Sequence, residues 1–477
     1  MKSNRRHLFV LTALTLLILA AGCSDRDPAE LETARAIVDP IVWEDGPAVP
    51  DVYWQPFFET HYTAISIDSV YAYDGFAPDG ATSLKFQIPA QGSALGPYTG
   101  GVITSAGARD LTDFNALTFY ARTDARSPTN QGILLNEIGF GNDNTGTSLY
   151  DAARTNLALT AEWVFHVVPI PDPSKLIAER GLFLMAEGVQ PEYPEGYNVW
   201  FDEIKYAKLG NIEVFRPSMV SANNIVFVGS TASVAGTSTI FLVDGGFVPV
   251  NHSPNYFDYI SSNPGVAAVD RGQIRVIGVG ETTITATLQG NEVNGRIVLK
   301  GFEAPTVAAT PPTLPASDVI SMFSGVYTNV PVDTWRTDWT PRAQVQDYAV
   351  AGDNTKMYTV LGGSYVGIEF RSPEIDASAM THFHLDVLAP EGTNFRVKLV
   401  CFPPEISGDP VNFLETQDVV LDGTTTPAFV AGGWSVLDIP LADFQIPEGW
   451  DWSHVGQMVL STGDADLVLV DNVYWHK

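Results

Sequence analysis

The chain has 477 residues, enough for about three domains. Apolar residues make up 45% and charged residues only 17%, which excludes a disordered or coiled-coil protein. The formal net charge of −29 excludes a nucleic-acid partner, because phosphate binding requires clustered Lys and Arg side chains. The 41 glycines and 32 prolines are typical of a protein built from many short strands and turns.

The N-terminus has the pattern of an export signal. Three basic residues precede an apolar run at 8–20, which is too short for a membrane span, and Cys23 follows it. The stretch resembles a bacterial lipoprotein signal, which implies a signal peptide at 1–22 and a lipid on Cys23 that anchors the protein to the outer membrane. The alternative is a plain signal peptide cut nearby. Residues 23–40 form a tether rich in Asp, Glu, Ala and Pro.

Two parts of the chain repeat one pattern. Residues 110–119 align without a gap on 376–385, and the strand-like run 199–206 matches the run 467–475 at the end of the chain. Between these blocks each copy has a tryptophan followed six residues later by a proline: Trp163 and Pro169, then Trp434 and Pro440. The order of the blocks indicates two divergent copies of one domain.

Short alternating runs bounded by Gly, Pro, Asn and Asp predict an all-β fold. We expect jelly-roll β-sandwiches at 41–210 and 316–477. One brief helix is predicted around residues 174–180. A Val-, Thr- and Ser-rich region occupies 211–301, and a stiff, extended, proline-rich linker occupies 302–315.

The middle region resembles the group 2 bacterial immunoglobulin-like domains. The resemblance lies in residues 259–270, 272–280 and 282–286. It implies an immunoglobulin-like β-sandwich between the two jelly rolls, used as a spacer or adhesive module without catalytic residues.

The third region resembles a C-terminal module of secreted bacterial polysaccharide-degrading proteins, one that often accompanies family 16 glycoside hydrolases. The matching residues are 318–324, 327–335, 366–370, 375–384 and 471–477. The first jelly roll resembles carbohydrate-binding modules through the repeated pattern. Both resemblances imply a polysaccharide ligand.

Four residues of a polar loop in the third region are candidates for glycan binding. Trp335 and Trp339 offer flat aromatic faces, and Arg336 and Asp338 offer polar contacts at the edge. The alternative is that one or both tryptophans cap the hydrophobic core. Further aromatic candidates lie in turn-rich segments: Trp450 and Trp452 in the third region, and Tyr53, Trp54 and Tyr98 in the first.

Two aspartates interrupt strands that otherwise read as buried, Asp202 and Asp471. An unpaired buried carboxylate is costly. Carbohydrate-binding jelly rolls often hold a structural ion beside the closing strand, which makes both residues candidate calcium ligands, with Glu59 as a partner of Asp202. The alternative is that each aspartate accepts backbone N–H bonds.

The sequence contains no recognised catalytic motif. The string at 374–379 lacks the last acid of the family 16 active-site pattern, and His382 and His384 alternate on one strand without an evident third zinc ligand. We therefore expect a non-catalytic, polysaccharide-binding lipoprotein that works with outer-membrane glycan-uptake proteins. The alternatives are a glycoside hydrolase or lyase with an unrecognised site, and a structural or adhesive lipoprotein that binds protein partners.

Overall fold

A computed structural model describes residues 36–45, 52–58, 65–69, 78–125, 132–142, 148–403 and 413–477. Within these ranges the chain forms strands and three-residue 3₁₀ helices, and no α-helix. No helix in the described ranges has the length and apolar character needed to cross a bilayer. The prediction of an all-β fold is confirmed.

The strands are numbered in chain order. The first sixteen are β1 (Ile41–Trp43), β2 (Val52–Pro56), β3 (Ile65–Ser69), β4 (Thr82–Ile88), β5 (Tyr98–Arg109), β6 (Ala116–Thr123), β7 (Ile133–Phe140), β8 (Ala152–Leu159), β9 (Val164–Pro169), β10 (Glu179–Gly188), β11 (Tyr197–Ala207), β12 (Ile212–Ser218), β13 (Ala222–Phe227), β14 (Thr231–Ser233), β15 (Ser238–Val243) and β16 (Gly246–His252). The remainder are β17 (Asp258–Ser261), β18 (Ala267–Asp270), β19 (Gln273–Val276), β20 (Gly280–Leu288), β21 (Asn291–Glu292), β22 (Ile297–Phe302), β23 (Val319–Phe323), β24 (Gln344–Val350), β25 (Asp353–Thr359), β26 (Tyr365–Glu369), β27 (His382–Leu388), β28 (Asn394–Cys401), β29 (Leu414–Glu415), β30 (Val419–Asp422), β31 (Trp434–Pro440), β32 (Val455–Thr462) and β33 (Leu467–His476). The 3₁₀ helices are Pro173–Lys175, Pro254–Tyr256, Ala316–Asp318, Leu441–Asp443 and Trp452–His454.

The chain divides into two compact units. The first contains residues 1–215 and 239–253, and the second contains 216–238 and 254–477. The brief helix predicted around 174–180 is instead a single 3₁₀ turn, Pro173–Lys175, because β10 begins at Glu179 and takes over the rest of that segment.

The first unit is a sandwich of two antiparallel sheets. One sheet has the order β3-β4-β11-β6-β9, with β1 paired to β11, and the other has the order β12-β15-β16-β8-β7-β10-β5-β2. Four fully buried phenylalanines fill the space between the sheets: Phe86, Phe119, Phe183 and Phe201. The Phe183 and Phe201 rings, from opposite sheets, meet edge to face with centroids 5.2 Å apart.

The C-terminal sandwich repeats this plan. One sheet runs β24-β25-β33-β27-β31 with β23 on β33, and the other runs β26-β32-β28-β29 with β30 on β28. The first of these sheets has the same order as β3-β4-β11-β6-β9 with β1 on β11. The turns before β6 and β27 also match, since Asp110 accepts bonds from Thr112 and Asp376 accepts the same bonds from Ser378. The two regions that repeat one pattern in the sequence therefore also share one strand order in the structure.

The middle of the chain forms two small sheets in the second unit, β13-β22-β20-β17 with β21 on β20, and β14-β19-β18. Apolar side chains on alternate positions point between them, including Ile274, Ile284 and Leu299. Residues 239–253 lie inside the region that the sequence assigns to an immunoglobulin-like domain, yet β15 and β16 belong to the sheet of the first unit.

The proline-rich segment 302–315, which the sequence predicts to be a stiff linker, is held against the C-terminal sandwich. The Trp434 indole Nε1–H donates to the Val307 carbonyl at 2.8 Å. The Tyr327 hydroxyl donates to the Leu314 carbonyl at 2.9 Å. These bonds fix the segment along its length, so it is part of the second unit.

We expect Phe201→Ala to lower the free energy of unfolding of the first unit by about 3–5 kcal/mol, because it leaves a cavity between the two sheets. Urea denaturation followed by tryptophan fluorescence measures the loss. Phe247→Ala is the matched control: this ring is 65% exposed and contacts Phe215 alone among the aromatic rings of the described chain. Phe247→Ala should lower the free energy of unfolding by about 1 kcal/mol or less. Equal losses in the two variants would contradict the assigned core.

Candidate functional site

The outer face of the β26-β32-β28 sheet presents a ladder of polar and aromatic side chains. Alternation along β26 points Val366 and Ile368 into the core, so Tyr365, Gly367 and Glu369 face outwards. The strand register brings six further outward positions into line with them: Gln457, Val459 and Ser461 on β32, and Arg396, Lys398 and Val400 on β28.

Two aromatic rings form an exposed platform on this face. The Trp339 ring lies directly over Gly367, where any Cβ atom would come within 2.1 Å of the indole. Its centroid is 5.8 Å from that of Tyr365, with an interplanar angle of 38°. The two residues are 46% and 42% exposed, which is high for rings of this size. Glycine at 367 is therefore required for the platform.

The aromatic platform, Trp339 and Tyr365, forms one end of an open groove of about 470 Å³. At the other end Phe413 is 48% exposed and its ring centroid is 6.3 Å from that of Phe402. The Arg371 guanidinium covers Phe402 at 3.9 Å from the ring centroid. The groove thus offers flat apolar surfaces at both ends.

Polar groups line the groove between its aromatic ends. Glu369 and Gln457 supply hydrogen-bonding groups beside the platform, and Glu415 lies at the far side. The Lys398 ammonium lies 3.2 Å from the Glu415 carboxylate and 3.8 Å from that of Asp418. Charges of both signs are present, and the positive charge closest to Glu415 is already paired with it.

The predicted loop residues separate into different environments. Trp335 packs against the core of the sandwich, edge to face with Phe323 at 5.5 Å, which is the core role left open by the sequence. Arg336 donates to the Ala343 carbonyl at 2.7 Å, so it fastens the loop that carries Trp339. Asp338 is exposed beside Trp339.

Trp450 and Trp452 form a pair in the structure, with centroids 5.2 Å apart and an interplanar angle of 73°. Both are partly buried against the core of the C-terminal sandwich, and the Trp452 ring lies 6.4 Å from the buried Trp475. Their contacts are those of tryptophans that cap a core.

In the first unit, Trp54 packs edge to face on the core residue Phe86 at 5.1 Å, whereas Tyr53, its neighbour on β2, is 53% exposed. The Tyr98 hydroxyl lies over Gly100, at 2.0 Å from where a Cβ would stand. Burial, reinforced by the Glu137 and Glu187 carboxylates, raises the pKa of Tyr98 to about 12.

Tyr365 and the groove residues of β28 and β32 were missed by the sequence reasoning. A signal for Tyr365 existed in the repeat, because Tyr98-x-Gly100 on β5 and Tyr365-x-Gly367 on β26 are corresponding motifs on corresponding strands. In both copies an aromatic ring lies over the glycine.

The two mid-strand aspartates are buried in equivalent positions. Asp202 is 0% and Asp471 1% exposed. In each, Oδ1 accepts the N–H of the next residue, Glu203 or Asn472, at 2.8 and 2.7 Å. Those next residues share a left-handed backbone, with φ of 45° and 46°. Each aspartate therefore occupies the same kink in the closing strand of its sandwich.

The second oxygen of each aspartate, Oδ2, is buried and has no hydrogen-bond partner among the described residues. Burial raises the pKa of Asp202 to about 7, with Glu203 adding to the effect. Burial likewise raises the pKa of Asp471 to about 7, together with the negative charges of Asp353 and Asp386. Further carboxylates around a buried carboxylate disfavour its ionised form unless a proton or a cation neutralises it.

A hard cation such as Ca²⁺ takes oxygen ligands. The carboxylates of Asp353 and Asp386 act electrostatically on Asp471, and the Asn472 amide nitrogen donates to Asp386 at 2.8 Å. Those of Glu203, Asp45 and Glu44 act on Asp202, and the Lys205 ammonium pairs with Glu44 and Glu203 at 3.1 and 3.2 Å. Glu59, the predicted partner of Asp202, lies outside the described residues.

Comparison with solved structures finds carbohydrate-binding modules. The family 11 module of a cellulosomal cellulase from Clostridium thermocellum is 12% identical and aligns over 33% of this chain and 94% of its own, with a TM-score of 0.25. The family 30 module of another cellulosomal cellulase from that organism is 16% identical and aligns over 37% of this chain and 96% of its own, with a TM-score of 0.23. A tandem of two family 22 modules from Paenibacillus barcinonensis is 11% identical and aligns over 93% of this chain and 99% of its own, with a TM-score of 0.22.

Neither a family model nor a curated protein matches the sequence. Similarities of this size do not define the function, which has to be argued from the strand pairing and the residues of the site.

Proposed function

We propose that the protein is a non-catalytic, polysaccharide-binding lipoprotein of the bacterial outer membrane. The observation that carries the proposal is the aromatic platform, Trp339 and Tyr365, at one end of an open groove of about 470 Å³. Aromatic side chains exposed on a concave surface bind apolar ligand faces, and a few polar groups beside them fix orientation. A sugar ring has such an apolar face of C–H groups and a rim of hydroxyls.

The shape of the groove favours a chain of sugars over a single sugar. It is open rather than enclosed, so a polymer can pass through it with neither end threaded. Its aromatic ends, the platform and the exposed Phe413 ring, can each stack on one sugar unit. Glu369 and Gln457 lie between them, within the groove, to accept and donate hydrogen bonds to hydroxyls.

The carboxylates of the groove favour binding over hydrolysis. Glu369 and Glu415 lie at the two ends of one row across the sheet, on β26 and β29, with β32 and β28 between them. Three strand spacings place their backbones about 14 Å apart. Glycosidases hold their two carboxylates about 5–9.5 Å apart. The Glu415 carboxylate is also paired with the Lys398 ammonium at 3.2 Å, so the two carboxylates of the groove are not both free.

The rest of the chain supports capture at a surface. Lipid on Cys23 and the tether at 23–40 would hold the protein at the membrane, where it would pass glycan to outer-membrane uptake proteins. An immunoglobulin-like module formed by the rest of 211–301 would lie between the two jelly rolls in the sequence. Tyr98 marks a second, weaker binding face on the first, and two sites on one polymer gain affinity through effective concentration.

Calcium is proposed as a structural ion at Asp202 and Asp471. An ion there would give each orphaned Oδ2 atom a partner and would offset the repulsion among the neighbouring carboxylates. Asp471 lies in the central strand of the sheet behind the groove, so the ion would support the binding face from within and take no part in contacts with the glycan.

Trp339→Ala should weaken polysaccharide binding at least tenfold, because it removes half of the aromatic platform. Affinity-gel retardation of the detergent-solubilised protein, against β-glucans, α-glucans, xylans, mannans and algal polysaccharides, measures the change. Phe247→Ala, which removes a still more exposed ring elsewhere, should leave retardation unchanged. Tyr365→Ala should act in the same direction as Trp339→Ala.

Retardation that survives Trp339→Ala and is lost in Tyr98→Ala would move the site to the first sandwich. A protein that no polysaccharide retards would overturn the proposed function in favour of a structural lipoprotein that binds proteins.

Calcium should stabilise the protein more at pH 7.5 than at pH 5. The folded-state pKa of Asp202 and Asp471, about 7, exceeds the usual 3.8, so without metal the folded state loses stability as the pH rises from about 4 to 7. Calcium binds the ionised form and removes that loss. A free concentration of 100 times Kd stabilises by about 2.7 kcal/mol.

Calorimetric melting in CaCl₂ and in EGTA at both pH values measures this effect. The double variant Asp202→Asn, Asp471→Asn should melt higher than the parent in EGTA at pH 7.5 and lose the response to calcium. A calcium response that is equal at both pH values, or unchanged in the double variant, would refute the assignment.

Cys23→Ser should release the protein from membranes, because the residue that accepts the lipid is removed. Ultracentrifugation of lysed cells, with the protein detected in pellet and supernatant, measures the partition. Cys401→Ser is the matched control, since Cys401 is buried in β28 and away from any lipid. If the Cys23→Ser variant remains in the membrane pellet, the proposal of a lipid anchor on Cys23 is refuted.

A further inference from the structure

Three side chains meet on the outer face of the β27-β31-β33 sheet, on the other side of the sandwich from the groove. His384 on β27 lies opposite Asp438 on β31, and His476 is on the neighbouring strand β33. One nitrogen of each histidine and one carboxylate oxygen all lie within 4.8 Å of one another. The Asp438 Oδ1 atom is 2.7 Å from His476 Nε2 and 3.3 Å from His384 Nδ1.

The far nitrogen of each ring is held by an acceptor. His476 Nδ1 lies 2.9 Å from the Lys477 carbonyl, so it carries the proton and donates it there. His384 Nε2 faces the Asp386 carboxylate at 3.5 Å. Histidine ligands of metals are held in this way, with the second N–H directed at a carbonyl or carboxylate. In neutral rings this arrangement leaves the lone pairs of His384 and His476 pointing at Asp438.

Three electron-pair donors therefore converge on one point. Two imidazole lone pairs and a carboxylate oxygen repel one another unless a cation or additional protons lie between them. Stacking fixes the rings in this arrangement: His384 lies on Tyr474, with centroids 4.3 Å apart and planes 12° apart, and His476 lies on His382 at 4.9 Å and 4°. A rigid set of donors loses little conformational entropy when it binds an ion.

We propose that His384, Asp438 and His476 form a binding site for one Zn²⁺ ion. Two imidazole nitrogens and a carboxylate are a common zinc donor set, and imidazole suits zinc better than it suits calcium. The histidines are 7% and 8% exposed, whereas the Asp438 side chain is 43% exposed. Solvent thus reaches one side of the site, which leaves a fourth position for water or another donor.

This site is distinct from the buried aspartates. Asp386 lies between the two: its Oδ1 faces His384, and its Oδ2 accepts a bond from Asn472. Two of the three zinc ligands, His384 and His476, contribute nitrogen atoms, whereas the groups around Asp471 contribute oxygen atoms. The inference also stands apart from glycan binding, because its residues are on the opposite sheet from the groove.

The competing arrangement is a cluster in which both histidines are protonated and clamp Asp438. Although burial acts the other way, hydrogen bonds from His384 and His476 lower the pKa of Asp438 to about 2 in that cluster, so its carboxylate is ionised there. Zinc has to displace protons from the rings, and a test at pH 8 therefore favours the metal.

Isothermal titration of the intact chain with ZnCl₂ at pH 8, in excess CaCl₂, should show one saturable equivalent. Asp438→Asn and His476→Gln should each weaken zinc affinity at least tenfold. His454→Gln is the matched control: His454 belongs to the same unit but lies outside the cluster, with its Nδ1 2.8 Å from the Glu374 carboxylate. The zinc affinity of this control variant should stay within threefold of that of the parent protein.

Co²⁺ gives a second readout that does not depend on affinity alone. The parent and His454→Gln should show the visible ligand-field bands of four- or five-coordinate Co²⁺, and Asp438→Asn should lose them while its circular dichroism remains that of the folded protein. Absence of a saturable zinc equivalent in the parent, or zinc binding that both ligand variants retain, would overturn the site in favour of the protonated cluster.

Discussion

The structure depends on one constraint: each sandwich closes with a strand that carries a buried carboxylate. β33 pairs with β25, β27 and β23, so it cannot move without disrupting its sheet. Asp471 sits in the middle of this strand with one oxygen bonded to Asn472 and the other without a partner. The left-handed kink at Asn472 is repeated at Glu203 beside Asp202, so two divergent copies keep the same costly arrangement.

The period of two along each strand gives the C-terminal sandwich two different outer faces. On β26 it exposes Tyr365 and Glu369 beside Trp339, where the groove is open. On β27 it brings out His384, which lies nearly buried against Tyr474. One fold therefore provides an open surface suited to a long polymer and, on the opposite sheet, a compact nitrogen and oxygen cluster suited to an ion.

The two copies differ mainly in what lies over their corresponding glycines. In the first, the hydroxyl of Tyr98 itself covers Gly100; in the second, a long loop brings Trp339 over Gly367 and leaves Tyr365 exposed. Arg336 makes this possible, because its bond to the Ala343 carbonyl fastens the loop on the sheet edge. The stronger platform thus comes from the position in which this loop holds Trp339.

The sequence by itself determined the all-β fold, the duplication, and the two mid-strand aspartates, because all of these are local patterns of alternation and spacing. It left open whether Trp335 or Trp339 faces solvent, since both lie in one polar loop and only the packed core distinguishes them. Tertiary structure alone decided that β15 and β16 join the first sheet, and that Asp438 and His476 complete a cluster with His384. Strand pairing over long sequence separations brings such residues together, and alternation specifies the face of a strand without specifying its partner.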